Sequence, residues 1–254
     1  MATTRLRPMS TGEILDASFA LLRHHAGVFF GIAIVCQGAP TALSIYVQFS
    51  GGPAQHLGLS AIGQVLSMLG YLLVSGASIR VVSEAYLGRD PGMAEALNFA
   101  FSKLGRTLSA GLSAGILTIL ALLLFIIPGI FVACGLAVAV QAAVLEPLNS
   151  GSEGVGRSWS LTKGFRGKAF GLYCVIMVLI VLSLLGFAVV AGIAAAIFRP
   201  LVAPAVIGMG LVFLFLYPFT SCVFTLFYYD LRVRKEAFDL EVLSRHLGIA
   251  AARS

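Results

Sequence analysis

The sequence predicts an all-α, polytopic transmembrane bundle of about six spans, with three interfacial amphipathic helices on its cytoplasmic side. Three observations carry that prediction. Charge is scarce: 11% of the 254 residues are Asp, Glu, Lys or Arg, against about a quarter in soluble domains. Six apolar runs follow one another along the chain. The basic residues collect between alternate runs.

The runs cover 27–48, 57–79, 108–127, 130–145, 169–198 and 203–229. A helix needs about 20 apolar residues to cross a hydrocarbon core of about 30 Å. Five runs meet that length, and the fourth is short. More than twenty residues precede the first run, including Glu13 and Asp16, and Pro40 lies inside it. A cleaved leader has a short basic start and a compact apolar stretch, so the first run reads as a retained span. Residues 108–145 hold no charged side chain and are too long for one straight crossing. Pro128 lacks an amide donor and Gly129 turns easily, which predicts a tight hairpin at that pair. Pro40 and Pro218 fall within the first and sixth runs and predict kinks there.

Orientation follows from charge. Of 17 Lys and Arg, 16 lie in the N-terminal arm, in 80–106, in 157–168 and in the tail from Arg232. The opposite loops, at 49–56, at Pro128-Gly129 and near Pro200, hold only Arg199. Lys and Arg in short loops stay cytoplasmic, so both termini are expected in the cytoplasm. The net charge of +6 therefore predicts contact with anionic lipid headgroups and not with nucleic acid.

A short amphipathic segment precedes each pair of spans. The first follows Ser10 with Glu13 three residues on, a capping box, and repeats Leu15, Phe19 and Leu22 at helical spacing. The second opens at Asp90-Pro91, a cap followed by a first-turn proline, and lines Met93, Ala96, Leu97, Ala100, Phe101 and Leu104 on one face. The third opens at Ser150 with Glu153 and carries Trp159, the only tryptophan. Aligned on Glu13, Glu95 and Glu153, the three share an aliphatic residue (Leu15, Leu97, Val155). They also share an aromatic (Phe19, Phe101, Trp159) and a basic residue (Arg23, Arg106, Lys163). One membrane domain over 1–254 is expected, built as a threefold repeat over 9–87, 90–147 and 150–235.

Two stretches are more specific than composition. One runs from Pro128-Gly129-Ile130 through Ala143-Val144-Leu145-Glu146 into Gly156-Arg157-Ser158-Trp159-Ser160-Leu161-Thr162-Lys163-Gly164. The other is Leu226-Phe227-Tyr228-Tyr229-Asp230-Leu231-Arg232-Val233-Arg234-Lys235-Glu236 with Phe238-Asp239-Leu240-Glu241. With Arg7-Pro8-Met9-Ser10 and Gly12-Glu13-Ile14-Leu15-Asp16, they resemble the bacterial membrane domain of glycerophosphoryl diester phosphodiesterase over nearly the whole chain. The resemblance implies a six-helix fold in the bacterial inner membrane. In fused enzymes of that kind catalysis belongs to a separate soluble barrel, for which these residues leave no room. The phosphodiesterase activity is therefore not implied.

Candidate sites are few. Glu146, Arg157, Lys163, Asp230, Arg232 and Arg234 stand at cytoplasmic span ends. They either bind headgroups or a partner, or they cap helices and pin the interfacial segments to the bundle. Asp230 and Arg234, four apart, share one helix face and can pair. Gln64 and Gln141 are the intramembrane candidates for a cavity or for bonds across helix contacts. Gly111 and Gly115 form a GxxxG that predicts close packing, inside the bundle or between subunits. His24, His25, His56 and His246 match no catalytic pattern, and Cys36, Cys134, Cys174 and Cys222 read as structural thiols. No cofactor or metal is expected. Three functions stay open: a non-catalytic accessory or scaffold subunit, a lipid or small-solute transporter or channel, and an intramembrane lipid enzyme. The lack of mid-membrane ionisable residues favours the first, with a membrane protein or a second copy as partner.

Overall fold

The computed structural model describes residues 8–52, 54–86, 88–197 and 202–236. Arg7, the turn near Pro200 with Arg199, and the tail with Phe238, Asp239, Leu240, Glu241 and His246 lie outside the described residues. In chain order the helices are α1 (Thr11–His24), α2 (Ala26–Phe49), α3 (Leu57–Tyr86), α4 (Met93–Leu124) and α5 (Ile126–Gly135). They continue as α6 (Ala139–Leu145), α7 (Glu153–Thr162), α8 (Arg166–Ile197) and α9 (Val202–Glu236). Among the described residues six stretches are long and apolar enough to cross a membrane: α2, α3, α4, α5 with α6, Arg166–Ile193 of α8, and Leu214–Glu236 of α9. The chain is an all-α, multi-pass membrane protein.

Burial assigns the spans different places. In the most apolar window of α8, with a mean hydropathy of 3.0, few residues are buried, and it is mainly Ala169, Leu172 and Ile176 that join this helix to the core. The Leu214–Glu236 part of α9 is mostly enclosed, packed against α1, α2, α3 and α8. Its Cys222, Val223, Phe227, Tyr228 and Leu231 have no exposed surface. The helix with the most polar lower half is thus the axis of the bundle.

Small residues set the close contacts. A Cβ on Gly70 of α3 would stand 2.5 Å from the Cys36 carbonyl of α2, and beside it Gln37 donates from Nε2 to the Ser67 carbonyl at 3.1 Å. Gly76 sits against Ala100, joining α3 to α4. The GxxxG behaves otherwise: a Cβ on Gly111 or Gly115 meets nothing within 4 Å, so neither glycine serves a contact within the described chain. Pro40 and Pro218 lie inside α2 and α9, which continue through them.

Four local expectations need correction. The hairpin turns at Phe125, whose extended backbone (φ −159, ψ 149) separates α4 from α5. Pro128 is instead the third residue of α5, where an amide has no intrahelical acceptor and its loss is harmless. Gly129 is needed for proximity, since a Cβ there would lie 2.7 Å from Leu122 Cα. The second amphipathic segment is capped by Gly92, not by Asp90. It runs on without a break into the third span, because nothing between Leu104 and Leu108 stops a helix. At the third segment Ser152 is the N-cap, and Glu153 accepts the Asn149 amide at 3.1 Å in place of a capping box with Ser150. Only the Ser10–Glu13 box forms as expected.

The fourth span is also broken. Between α5 and α6 the residues 136–138 leave the helix while buried.

Candidate functional site: the basic end of the bundle

The charged span ends converge on the last two turns of α9, because that helix is central and its polar residues come late. Asp230 has no exposed surface. Its carboxylate accepts the Met9 amide at 2.7 Å, Lys168 Nζ at 2.5 Å and Arg234 Nε at 3.1 Å. Lys168 Nζ and Arg234 also donate to the Met9 carbonyl, at 2.5 and 2.8 Å. Both main-chain groups of Met9 are thus held by one buried ionic knot that ties the start of the chain to α8 and α9. One carboxylate against two cations leaves the knot at +1.

A second knot lies beside it. Glu146, leaving α6, accepts Arg157 Nε at 2.7 Å and the Tyr228 hydroxyl at 2.9 Å. Arg157 also donates to Glu236, and Glu236 pairs with Arg232 at 2.9 Å. Burial by itself would lower the Arg157 guanidinium, but its hydrogen bonds to Glu146 and Glu236 outweigh that and raise it above its ordinary value. Two acids and two arginines make this knot neutral. Lys235 extends it by donating to the Ser160 carbonyl of α7 at 2.5 Å. At the end of α3, Glu84 takes Arg80 at 2.6 Å and Arg89 at 3.5 Å. Close by, Tyr229 donates to Ser83 at 2.8 Å and stacks on Tyr86.

Five of the six charged candidates therefore meet at the α6, α7 and α9 ends, and the expected Asp230–Arg234 pair forms. Lys163 does not join them. It is exposed after α7 and pairs with no acid among the described residues. Gln64 and Gln141 do not share a site. Gln64 is exposed, about two turns from the start of α3 at the opposite end, while Gln141 is buried near the basic end of α6. Of the residues that complete the knots, Met9, Lys168 and Tyr228 carry no local sequence signal, since each partner is distant in the chain, whereas Glu236 stands four residues after its partner Arg232, a helical spacing that was available.

The buried face of α7 explains the broken span. Ser158 Oγ accepts the Val138 amide at 3.2 Å and donates to the Gly135 carbonyl at 2.9 Å. Thr162 donates to the same carbonyl at 2.9 Å. Non-helical backbone at membrane depth persists only where its polar groups find partners, and two hydroxyls four residues apart provide them. Gly154, on the same face, lies where a Cβ would stand 2.6 Å from the Ala139 carbonyl. Sequence reasoning took α7 as a helix burying an apolar face. Its buried face sets only Leu161 into the apolar core and is otherwise small and polar, and the Gly154, Ser158, Thr162 spacing was the available signal.

The four cysteines are free. Cys174 is exposed on α8, unlike the buried Cys134 and Cys222. Among the described residues no cluster of His, Cys, Asp or Glu could hold a metal ion. Comparison with family models, with curated proteins and with solved structures finds no match.

Proposed function

We propose that the chain is a non-catalytic integral membrane protein that serves as an accessory or scaffold subunit of a membrane complex. One observation carries the reading. Glu84, Glu146, Asp230 and Glu236, the acids at the ends of α3, α6 and α9, are each held by a cation of the same chain. A general base or a proton-coupling acid needs a lone pair that substrate or water can reach. Here those lone pairs fix helix ends and the N-terminal arm, so the basic end is a rigid platform. The charge asymmetry of the loops supports a bacterial inner-membrane location with both termini in the cytoplasm. The motif resemblance to the membrane domain of glycerophosphoryl diester phosphodiesterase supports a domain that stands beside catalysis without performing it.

The test is purification in mild detergent followed by native mass spectrometry. The expected result is a stoichiometric protein partner, lost when the exposed residue Arg23 at the end of α1 is replaced by Glu. A chain recovered alone with a bound solute would overturn the reading in favour of transport. The break at 136–138 would then be the first place to look. A reporter fused after the last residue checks the topology and should be active only in the cytoplasm.

A further inference from the structure

Most cations at the basic end have a carboxylate or carbonyl partner. Arg166 has neither among the described residues, and its Nε is shut away from solvent with no acceptor. Its guanidinium lies over two aromatic rings, 4.1 Å from the Phe131 centroid and 3.9 Å from that of Trp159. Those rings meet edge to face at 6.0 Å. The geometry is built by a tight turn. Phe165 N–H bonds the Thr162 carbonyl at 2.8 Å, with Lys163 at φ −58, ψ 120 and Gly164 at φ +89. This is a type II turn with glycine at the position that requires positive φ. It reverses the chain between α7 and α8, and the Arg166 guanidinium comes to lie over Trp159.

A caged guanidinium has a fixed plane and unspent donors, and it calls for an anion with several oxygens. Position selects the source. Arg166 is the first residue of a span, and Trp159 and Phe131 are both substantially exposed, as aromatic rings at the water–bilayer boundary are. Along the same face of α8, one turn apart, follow Phe170, Cys174 and Val178, all exposed. An anionic head at Arg166 thus continues into an apolar lane running down into the bilayer. We propose that Arg166, in the Phe131–Trp159 cage, is a binding site for the phosphate of an anionic phospholipid whose acyl chain lies along α8. With no acid paired to Arg166, nothing there favours a lipid bearing a compensating amine.

Trp159 is the only tryptophan, so its emission reports on the cage. The full-length protein in maltoside micelles is titrated with dioleoyl phosphatidylglycerol and, separately, with inorganic phosphate. A saturable change in Trp159 emission with the lipid is expected. Arg166→Gln should shift its midpoint by about tenfold or more, and Arg166→Lys by about fivefold, since Lys keeps the charge and loses the planar fork. Lys163→Gln removes an equal charge outside the cage and should stay within about twofold. Gel filtration and helical circular dichroism confirm that each variant is folded, and Arg166→Lys carries the test should Arg166→Gln not fold. Equal midpoints for Arg166→Lys and wild type would overturn the site. An equal weakening by Lys163→Gln would reduce it to diffuse attraction. The same response to inorganic phosphate at the same concentrations would make the ligand a soluble anion and overturn the lipid assignment.

Discussion

Asp230 and Lys168 form a 2.5 Å ion pair in which the carboxylate has no exposed surface, and the Met9 backbone is threaded between them and Arg234. Breaking a buried pair from one side leaves the remaining charge uncompensated, at a cost of about 3–5 kcal/mol. Asp230→Asn is therefore expected to be among the most destabilising conservative changes in the protein, and it should also release the arm. Detergent-solubilised protein should melt well below wild type, and an N-terminal tag should be cut faster by protease. The double variant Asp230→Asn, Lys168→Met should lose less than the sum of the two single losses. Strict additivity would mean that the pair is not the element holding the arm.

The hydroxyls of Ser158 and Thr162 both serve the Gly135 carbonyl, but only Ser158 also accepts a buried amide, that of Val138. Ser158→Ala strands that amide, and an unsatisfied buried donor costs about 1–3 kcal/mol. Thr162→Val removes a second donor from an acceptor that keeps its first, so its effect should be smaller. Thermal melts of the two variants decide the point. A larger loss for Thr162→Val would show that the break is not held as described.

How much of this was legible in the sequence depends on the range of the interaction. Span number, the Ser10–Glu13 box and the Asp230–Arg234 pair rest on runs of adjacent residues or on fixed helical offsets, which a single chain displays directly. The hairpin turn was misplaced because Pro128 and Gly129 suit two roles, turn former and first-turn helix residue. Only contact with Leu122 selects the second. The broken fourth span stayed hidden because its hydrogen-bond partners lie 20 to 27 residues downstream. Lys168 and Glu236 were missed for the same reason. The Asp230 partner of Lys168 and the Arg157 partner of Glu236 are 62 and 79 residues away, and only the Arg232–Glu236 spacing of four was open to a local reading.

Gly70 and Gly111 both sit in membrane-spanning helices, and their surroundings predict opposite outcomes for alanine. At Gly70 the new methyl would stand 2.5 Å from a backbone oxygen of α2. That forces the helices apart, with a cost of about 1–3 kcal/mol. At Gly111 it meets nothing within 4 Å, so the change should be neutral within about 0.5 kcal/mol or slightly stabilising. Melting curves of the two variants in the same detergent test this. A destabilised Gly111→Ala would point to a second subunit packed on that face.

His25 joins α1 to α2, with the His24 ring edge-on at 4.7 Å. Partial burial lowers its imidazole from the ordinary value of 6.5, His24 lowers it further, and Asp90 offsets part of the effect. The sign follows from which state takes the proton first. Above pH 6.5 the ring is neutral in both states and the full stability is present. As pH falls through that value the unfolded chain binds a proton before the folded one, so stability drops until the folded ring is protonated too. Melting temperature should therefore fall between about pH 7.5 and about pH 5.5, within the range where histidine titrates. His25→Asn, which cannot titrate, should flatten that fall, and Asp90→Asn should steepen it by removing the opposing charge. An unchanged slope in His25→Asn would assign the pH dependence to other groups and leave the α1–α2 joint without a role in it.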